Sequence, residues 1–100
     1  MKQDSIPSYE SSKKLHIKKY PGLAAGIEQL EKKILENPEA GIKETLVIES
    51  RHVITRKRGL RTNLFSDRLP DHYLYLTINY GLTDSEMVVF LGIYLHDYVA

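Results

Sequence analysis

The chain has 100 residues, which is enough for one domain with its own core and too few for two independent ones. It contains no cysteine, so disulfides, thiolate metal sites and cysteine nucleophiles are excluded. No apolar run approaches the ~18 residues of a membrane span, and no apolar signal segment follows the first residues. We therefore predict a single domain over residues 1–100 and expect a soluble, cytoplasmic protein.

The formal net charge of +1 conceals an uneven distribution. Residues 1–61 hold 13 basic and 8 acidic side chains, whereas residues 62–100 hold one basic and five acidic side chains. Five cations lie within eleven residues that contain no acid, namely Arg51, Arg56, Lys57, Arg58 and Arg61. The basic half is suited to a polyanionic partner and the acidic half is not.

The N-terminal part of the chain has helical patterns. Ser8 is a candidate cap for a lysine-rich helix over residues 10–19, and Pro7 limits any preceding strand to a short edge piece. Apolar residues then recur with helical spacing at Leu23, Ile27, Leu30 and Ile34. This spacing predicts an amphipathic helix that ends at Asn37, so residues 13–36 are expected to form a helical hairpin.

After Gly41 the pattern changes to period two with β-branched residues, which predicts strands. Strands are expected over residues 45–48, from residue 53 through the basic run, and over residues 73–80, while residues 60–69 fit either strand or loop. Residues 87–95 form a nearly unbroken apolar run, typical of a central strand covered on both faces. The predicted fold is α+β, with a two-helix hairpin on one face of an antiparallel sheet of three to five strands.

The basic run is a candidate anion site. In an extended chain Arg56 and Arg58 point to one face and Lys57 to the other. Two guanidinium groups ~7 Å apart along one strand can hold a phosphate through paired hydrogen bonds. The alternative is a solvated edge strand, whose positive charge deters pairing with another sheet edge.

The histidines and tyrosines offer proton carriers but no metal site. The four histidines, at positions 16, 52, 72 and 96, lack the spacing of metal ligands, and no glycine-rich nucleotide loop is present, so no metal or cofactor is predicted. His96 and Tyr98, at the end of the last strand, are candidate proton carriers, or alternatively part of a surface tail. The sheet tyrosines can stack on bases or simply pack within the sheet.

Two segments carry a family resemblance. A lysine-rich helix followed by Lys-Lys-Tyr-Pro-Gly-Leu, and an amphipathic helix that ends in Leu-Glu-Asn-Pro-Glu-Ala-Gly, make residues 12–41 resemble the RelE/ParE family of bacterial toxins. Residues 73–97 are similar in pattern to the last two strands of that family. The resemblance implies a toxin that a co-encoded antitoxin neutralises. RelE-like members cleave mRNA on the ribosome, and ParE-like members poison DNA gyrase.

The nuclease branch of the family needs no metal, because the ribose 2′-hydroxyl attacks the adjacent phosphate. Such a reaction requires cations at the phosphorane, a proton acceptor at the 2′-oxygen and a donor at the leaving 5′-oxygen. The resemblance implies Arg56, Arg58 and Arg61 as the electrostatic set, with His96 and then Tyr98 as acid or base. The candidate nucleic-acid-binding residues are Arg51, Lys57, Lys13 and Lys14.

Two positions depart from the family pattern. Leu74 stands where members commonly have arginine in a Tyr-Arg-aliphatic-x-Tyr strand, and Ala100 stands where others have a terminal tyrosine. The first interpretation is an mRNA-cleaving toxin. The alternatives are a non-catalytic member of the same fold, either gyrase-directed or a degenerate toxin that binds an antitoxin, and a small RNA-binding module outside the family.

Overall fold

Two helices cover one face of a five-stranded sheet in the computed structural model of the chain. The structure describes residues 2–48 and 50–99, and within these ranges it does not describe the side chains of residues 46, 48 and 51–53. The predicted binding side chain of Arg51 and the departure at Ala100 therefore lie outside the described part. The elements are β1 (Lys2–Ser5), α1 (Pro7–Lys19), α2 (Leu23–Glu36), a 3-10 turn (Pro38–Ala40), β2 (Ile42–Ile48), β3 (Arg51–Phe65), β4 (His72–Leu82) and β5 (Met87–Val99).

The predicted α+β class and the helical hairpin are confirmed, with one difference in the sheet. The strand order is β1-β5-β4-β3-β2. Strands β2 to β5 pair antiparallel, as expected, whereas β1 pairs parallel with β5. The sheet is therefore mixed. The short polar strand β1 is the edge piece that Pro7 permits, because α1 begins at that residue.

The helices differ in how they are held. Helix α1 begins at Pro7, whose fixed φ suits a first helical position, and Ser8 does not cap it. Helix α2 buries the predicted apolar stripe of Leu23, Ile27, Leu30 and Ile34. Neither helix of the described residues is long and apolar enough to span a membrane.

The core lies between the two helices and the sheet, with Tyr9 of α1 stacked on Phe90 of β5 at a centroid distance of 5.3 Å. Its strand residues are Leu76, Ile78, Tyr80, Val88, Phe90 and Ile93. The expectation that residues 87–95 form a strand covered on both faces is wrong, because burial alternates along β5. Strand β1 pairs only with Met87–Phe90 of β5, and the central strand of the sheet is β4.

The basic run lies inside the sheet. Strand β3 spans 15 residues between β2 and β4, so the interpretation of a solvated edge strand is also wrong. In the ambiguous segment 60–69, strand β3 continues to Phe65 and ends there. Here β3 has a register irregularity between Arg61 and Phe65, and the Thr62 hydroxyl fixes it by donating to the Leu74 carbonyl at 2.7 Å.

Because both helices lie on one side, the other side of the sheet has no helix over it. Side chains alternate between the two sides along each strand. Most residues opposite the helices are partly buried or exposed, and Thr55 and Gly92 are the buried ones among them. We call this surface the open face. On the three inner strands of the sheet it includes Lys57, Gly59, Arg61, Phe65, Tyr73, Tyr75, Thr77, Asn79, Tyr94, His96 and Tyr98.

A buried phenol links the two helices. The Tyr9 hydroxyl donates to Glu31 Oε2 at 2.7 Å, and Lys13 Nζ lies 3.1 Å from the same oxygen. Burial, together with the neighbouring Glu31 carboxylate, raises the pKa of Tyr9 far above its ordinary value. Lys13, a predicted nucleic-acid contact, is thus part of the link between α1 and α2.

This arrangement predicts a loss of stability in alkali. In the unfolded chain Tyr9 releases its proton near pH ~10, whereas in the folded chain it keeps it. Above that pH the unfolded state therefore binds fewer protons, and the free energy of unfolding should fall by ~1.4 kcal/mol per pH unit on account of this group. Urea unfolding at pH 9 and pH 11 measures the fall. A Tyr9→Phe variant should lose less stability over the same interval, and equal losses would contradict the assignment.

Candidate nucleic-acid interface

Strand alternation divides the basic run between the two sides of the sheet. Arg56 and Arg58 pair in register with Tyr80 and Ile78, which are buried beneath the helices. The intervening Lys57 is on the open face. The prediction that Arg56 and Arg58 share one face, with Lys57 on the other, is therefore confirmed, and the shared face is the helix side.

Both arginines on the helix side bind backbone carbonyls near the end of α2. Arg58 Nη1 donates to the Lys33 carbonyl at 2.9 Å, and Arg56 Nη1 donates to the carbonyls of Glu39 and Gly41 at 3.0 and 3.3 Å. The last carbonyls of a helix form the negative end of its dipole. The Lys33 carbonyl accepts the Arg58 bond in addition to a bond from the Asn37 N–H at 3.1 Å. These guanidinium groups therefore hold the end of α2 and the 3-10 turn in place.

The open face contains a groove of about 700 Å³. Its floor is formed where three rows of residues cross the inner strands from β3 through β4 to β5. The rows are Lys57–Asn79–Gly92, Gly59–Thr77–Tyr94 and Arg61–Tyr75–His96. Arg61 and Gly92 lie in these rows without lining the groove itself. Arg58 does line it, although its guanidinium group donates to the Lys33 carbonyl. The sheet thus brings one ammonium, one guanidinium, one imidazole and two phenols to a single surface.

Glycine shapes this groove at two positions. A Cβ atom on Gly59 would overlap the Tyr75 ring, and one on Gly92 would lie 2.6 Å from the Tyr94 hydroxyl oxygen. Each tyrosine therefore reaches across a bare stretch of backbone, which a side chain would fill. The two phenols border the groove, and the short side chain of Thr77 leaves its floor low.

Lys57 has a counter-ion at the groove wall. Its Nζ lies 2.6 Å from Glu44 Oε1 of β2, and the two side chains are 41% and 35% exposed. A pair with this much solvent access is held by ~1 kcal/mol or less. An incoming anion can therefore compete with Glu44 for the ammonium group.

Aromatic rings continue from the groove toward the end of the sheet. Phe65 stacks on Tyr73 with ring centroids 4.4 Å apart, and Tyr73 is 5.9 Å from Tyr98. Tyr98 in turn meets Tyr75 edge-on at 6.0 Å. We call these four rings the aromatic ladder. Arg61 lies over it, with Cζ 5.8 Å from the Tyr98 ring centroid.

The predicted site residues are therefore separated. Lys57, Arg61, His96 and Tyr98 share the open face, whereas Arg56, Arg58 and Lys13 have partners on the helix side. Lys14 is exposed on α1, away from the groove. Leu74, which stands where the family pattern has arginine, is buried on the helix side at 3% exposure. The absence of arginine at this position therefore does not change the charge of the open face.

Sequence reasoning missed four residues of this surface, namely Glu44, Phe65, Thr77 and Asn79. The period-two spacing of Tyr75, Thr77 and Asn79 was the available signal for the groove floor. Phe65 lay in the ambiguous segment, and its side of the sheet depends on the irregularity that follows Arg61. Within the described residues, no group of three or more histidine or acidic side chains is placed to hold a metal ion.

Comparisons of the chain with protein-family models, with curated proteins and with solved structures give no significant match.

The arginine contacts on the helix side predict a loss of stability. Arg58→Ala removes the donor to the Lys33 carbonyl and should lower the free energy of unfolding by about 1 kcal/mol. Arg61→Ala is the matched control, because it removes an exposed arginine from the same strand, and it should change stability by less than ~0.5 kcal/mol. Urea denaturation of the two variants tests this difference. Equal stabilities would mean that the Arg58 contact does not stabilise the helix end.

Proposed function

We propose that this chain is the toxin of a type II toxin–antitoxin module, a metal-independent endoribonuclease that cleaves mRNA on the ribosome and binds a cognate antitoxin. One observation carries the proposal: the uncovered side of the sheet gathers cations, an imidazole and phenols around a single groove. The reacting residues in this proposal are Lys57, Arg61, His96 and Tyr98. Arg56 and Arg58 are left out, because their guanidinium groups bind helix-end carbonyls on the opposite side.

The spacing of the Arg61–Tyr75–His96 row suits one phosphodiester. Arg61 and His96 flank Tyr75 in register across three neighbouring strands. Strands lie ~4.8 Å apart, so the Cα atoms of Arg61 and His96 are ~10 Å apart. A phosphate above Tyr75 is therefore within reach of both side chains.

In the proposed reaction the His96 imidazole takes the proton from the ribose 2′-hydroxyl. The 2′-oxygen attacks the adjacent phosphorus, the bond from phosphorus to the 5′-oxygen breaks, and a 2′,3′-cyclic phosphate forms. The leaving 5′-oxygen takes a proton from the Tyr98 phenol. Arg61 and Lys57 stabilise the negative charge that develops on the phosphorane oxygens. Protons then return between the two groups through solvent.

A non-catalytic RNA-binding module is the second candidate. The open face has several rings and cations that can bind RNA, but His96 is the single imidazole on it among the described residues. The Tyr98 hydroxyl also donates to the Thr62 carbonyl at 3.4 Å. More groups on this face are therefore available for binding RNA than for transferring protons. This candidate predicts RNA affinity that falls with salt and is not followed by cleavage.

Induced expression in a bacterial host tests the first proposal. Wild-type protein should arrest growth and produce new mRNA ends inside reading frames. His96→Gln should reduce cleavage at least ~100-fold, whereas His72→Gln, on the helix side, should retain it. Arrest with intact mRNA would contradict the nuclease and indicate another target such as gyrase. RNA binding without arrest or cleavage would favour the second candidate.

The counter-ion of Lys57 gives a separate prediction about RNA affinity. Glu44→Gln removes the competing carboxylate and should tighten binding of single-stranded RNA about two- to fivefold. The slope of affinity against salt should steepen by ~0.7, as expected for one further phosphate contact. Glu28→Gln, which makes the same charge change on exposed α2, is the control. Binding is measured with 2′-O-methyl RNA, which lacks the attacking hydroxyl, and equal effects of both variants would contradict a local role for Glu44.

A further inference from the structure

The aromatic ladder extends beyond the groove in which the proposed reaction takes place. Its outermost ring, Phe65, is 56% exposed, although it stacks closely on Tyr73. No described helix lies on this side of the sheet. The other three rings, Tyr73, Tyr75 and Tyr98, are half-buried. The ladder is therefore an ordered set of rings that keep part of their surface open to solvent.

Charge around the ladder favours an anionic chain. Arg61 lies over the Tyr98 ring, and Lys57 is four residues away on the same strand and the same face, a span of ~13 Å. Three acids flank the ladder in sequence: Asp71 is exposed at the turn before Tyr73, and the other two are held elsewhere. Asp97 binds Arg68 at 2.7 Å, and Asp67 binds Lys19 at 3.2 Å.

The positions of these acids result from strand alternation and the helix contacts. Asp97 lies between His96 and Tyr98 in the sequence but pairs in register with the buried Leu74, so it is on the helix side. Asp67 also accepts a hydrogen bond from the Tyr20 hydroxyl at 2.5 Å. These contacts lower the pKa of both carboxyl groups, Asp67 first through its bond to Tyr20 and Asp97 first through its bond to Ser66.

We propose that the aromatic ladder is a binding platform for the bases of an unpaired RNA segment adjoining the cleaved phosphate. Unstacked bases bind to aromatic side-chain faces, and a sheet with a few such rings holds two or three bases. A duplex keeps its bases stacked on one another and cannot use these faces. The substrate class is thus single-stranded RNA that extends past the groove on the side of Phe65.

This inference rests on the proposed function only for the position of the cleaved phosphate. Binding by the ladder requires no proton transfer, and it is measured with RNA that cannot be cleaved. Failure of cleavage in the cell therefore leaves the inference intact. Loss of the ladder's contribution to binding would overturn it even if cleavage occurs.

The test uses fluorescence anisotropy of the full chain with a single-stranded 2′-O-methyl oligonucleotide and with the corresponding duplex. Phe65→Leu and Tyr73→Leu should each weaken single-strand binding about tenfold and leave the salt slope unchanged, because stacking releases no counterions. Phe65→Tyr retains a ring and should bind as wild type does. Leu15→Ala removes an exposed apolar side chain from α1 and should have no effect on binding.

Three results would overturn the inference. The first is wild-type affinity in both leucine variants, and the second is equal affinity of the wild type for single strand and duplex. The third is absence of oligonucleotide binding at low salt, which would leave this face to a protein partner. Thermal unfolding of each variant verifies that it is folded, and the comparison of single strand with duplex on the wild type keeps the test decisive if a leucine variant unfolds.

Discussion

The packing of the α2 stripe against one side of the sheet is the constraint on which the rest of the molecule depends. Leu23, Ile27, Leu30 and Ile34 are fully buried. Helix α2 covers β3 and β4, and α1 covers β5. The two helices of the described residues, of 13 and 14 residues, both lie on this side of the sheet. The other side is then available for polar and aromatic groups, which a second apolar layer would otherwise displace.

Alternation along each strand then gives neighbouring residues separate tasks. Arg58 holds the end of α2, while Lys57 beside it reaches the groove. Asp97 binds Arg68 on the helix side, while His96 and Tyr98 on either side of it face the groove and the ladder. The acidic charge of the C-terminal half is in this way kept partly apart from the cations of β3, although the two are close in sequence.

Periodicity was sufficient to predict the parts of the fold that repeat. The stripe of α2 and the alternation along β4 follow from residue spacing alone. The parallel pairing of β1 did not, because a polar strand of four residues has no apolar pattern. The open face of β5 also escaped prediction. Val89 and Leu91 on the less buried side are apolar, so the sequence of this strand resembles that of a strand buried on both faces. The sequence predicted that Arg56 and Arg58 share one side of the sheet and Lys57 the other. It did not predict which of these sides the helices cover, because that depends on tertiary contacts.

The irregularity between Arg61 and Phe65 has a consequence for how this strand can change length. Arg61 pairs with Tyr75 and Phe65 with Tyr73, so four steps along β3 match two steps along β4. Both numbers are even, and Phe65 therefore stays on the same side as Arg61. Insertion or deletion of one residue here would turn the aromatic end of the strand toward the helices. A change of two residues would preserve its orientation, so related chains with this surface should differ here in steps of two.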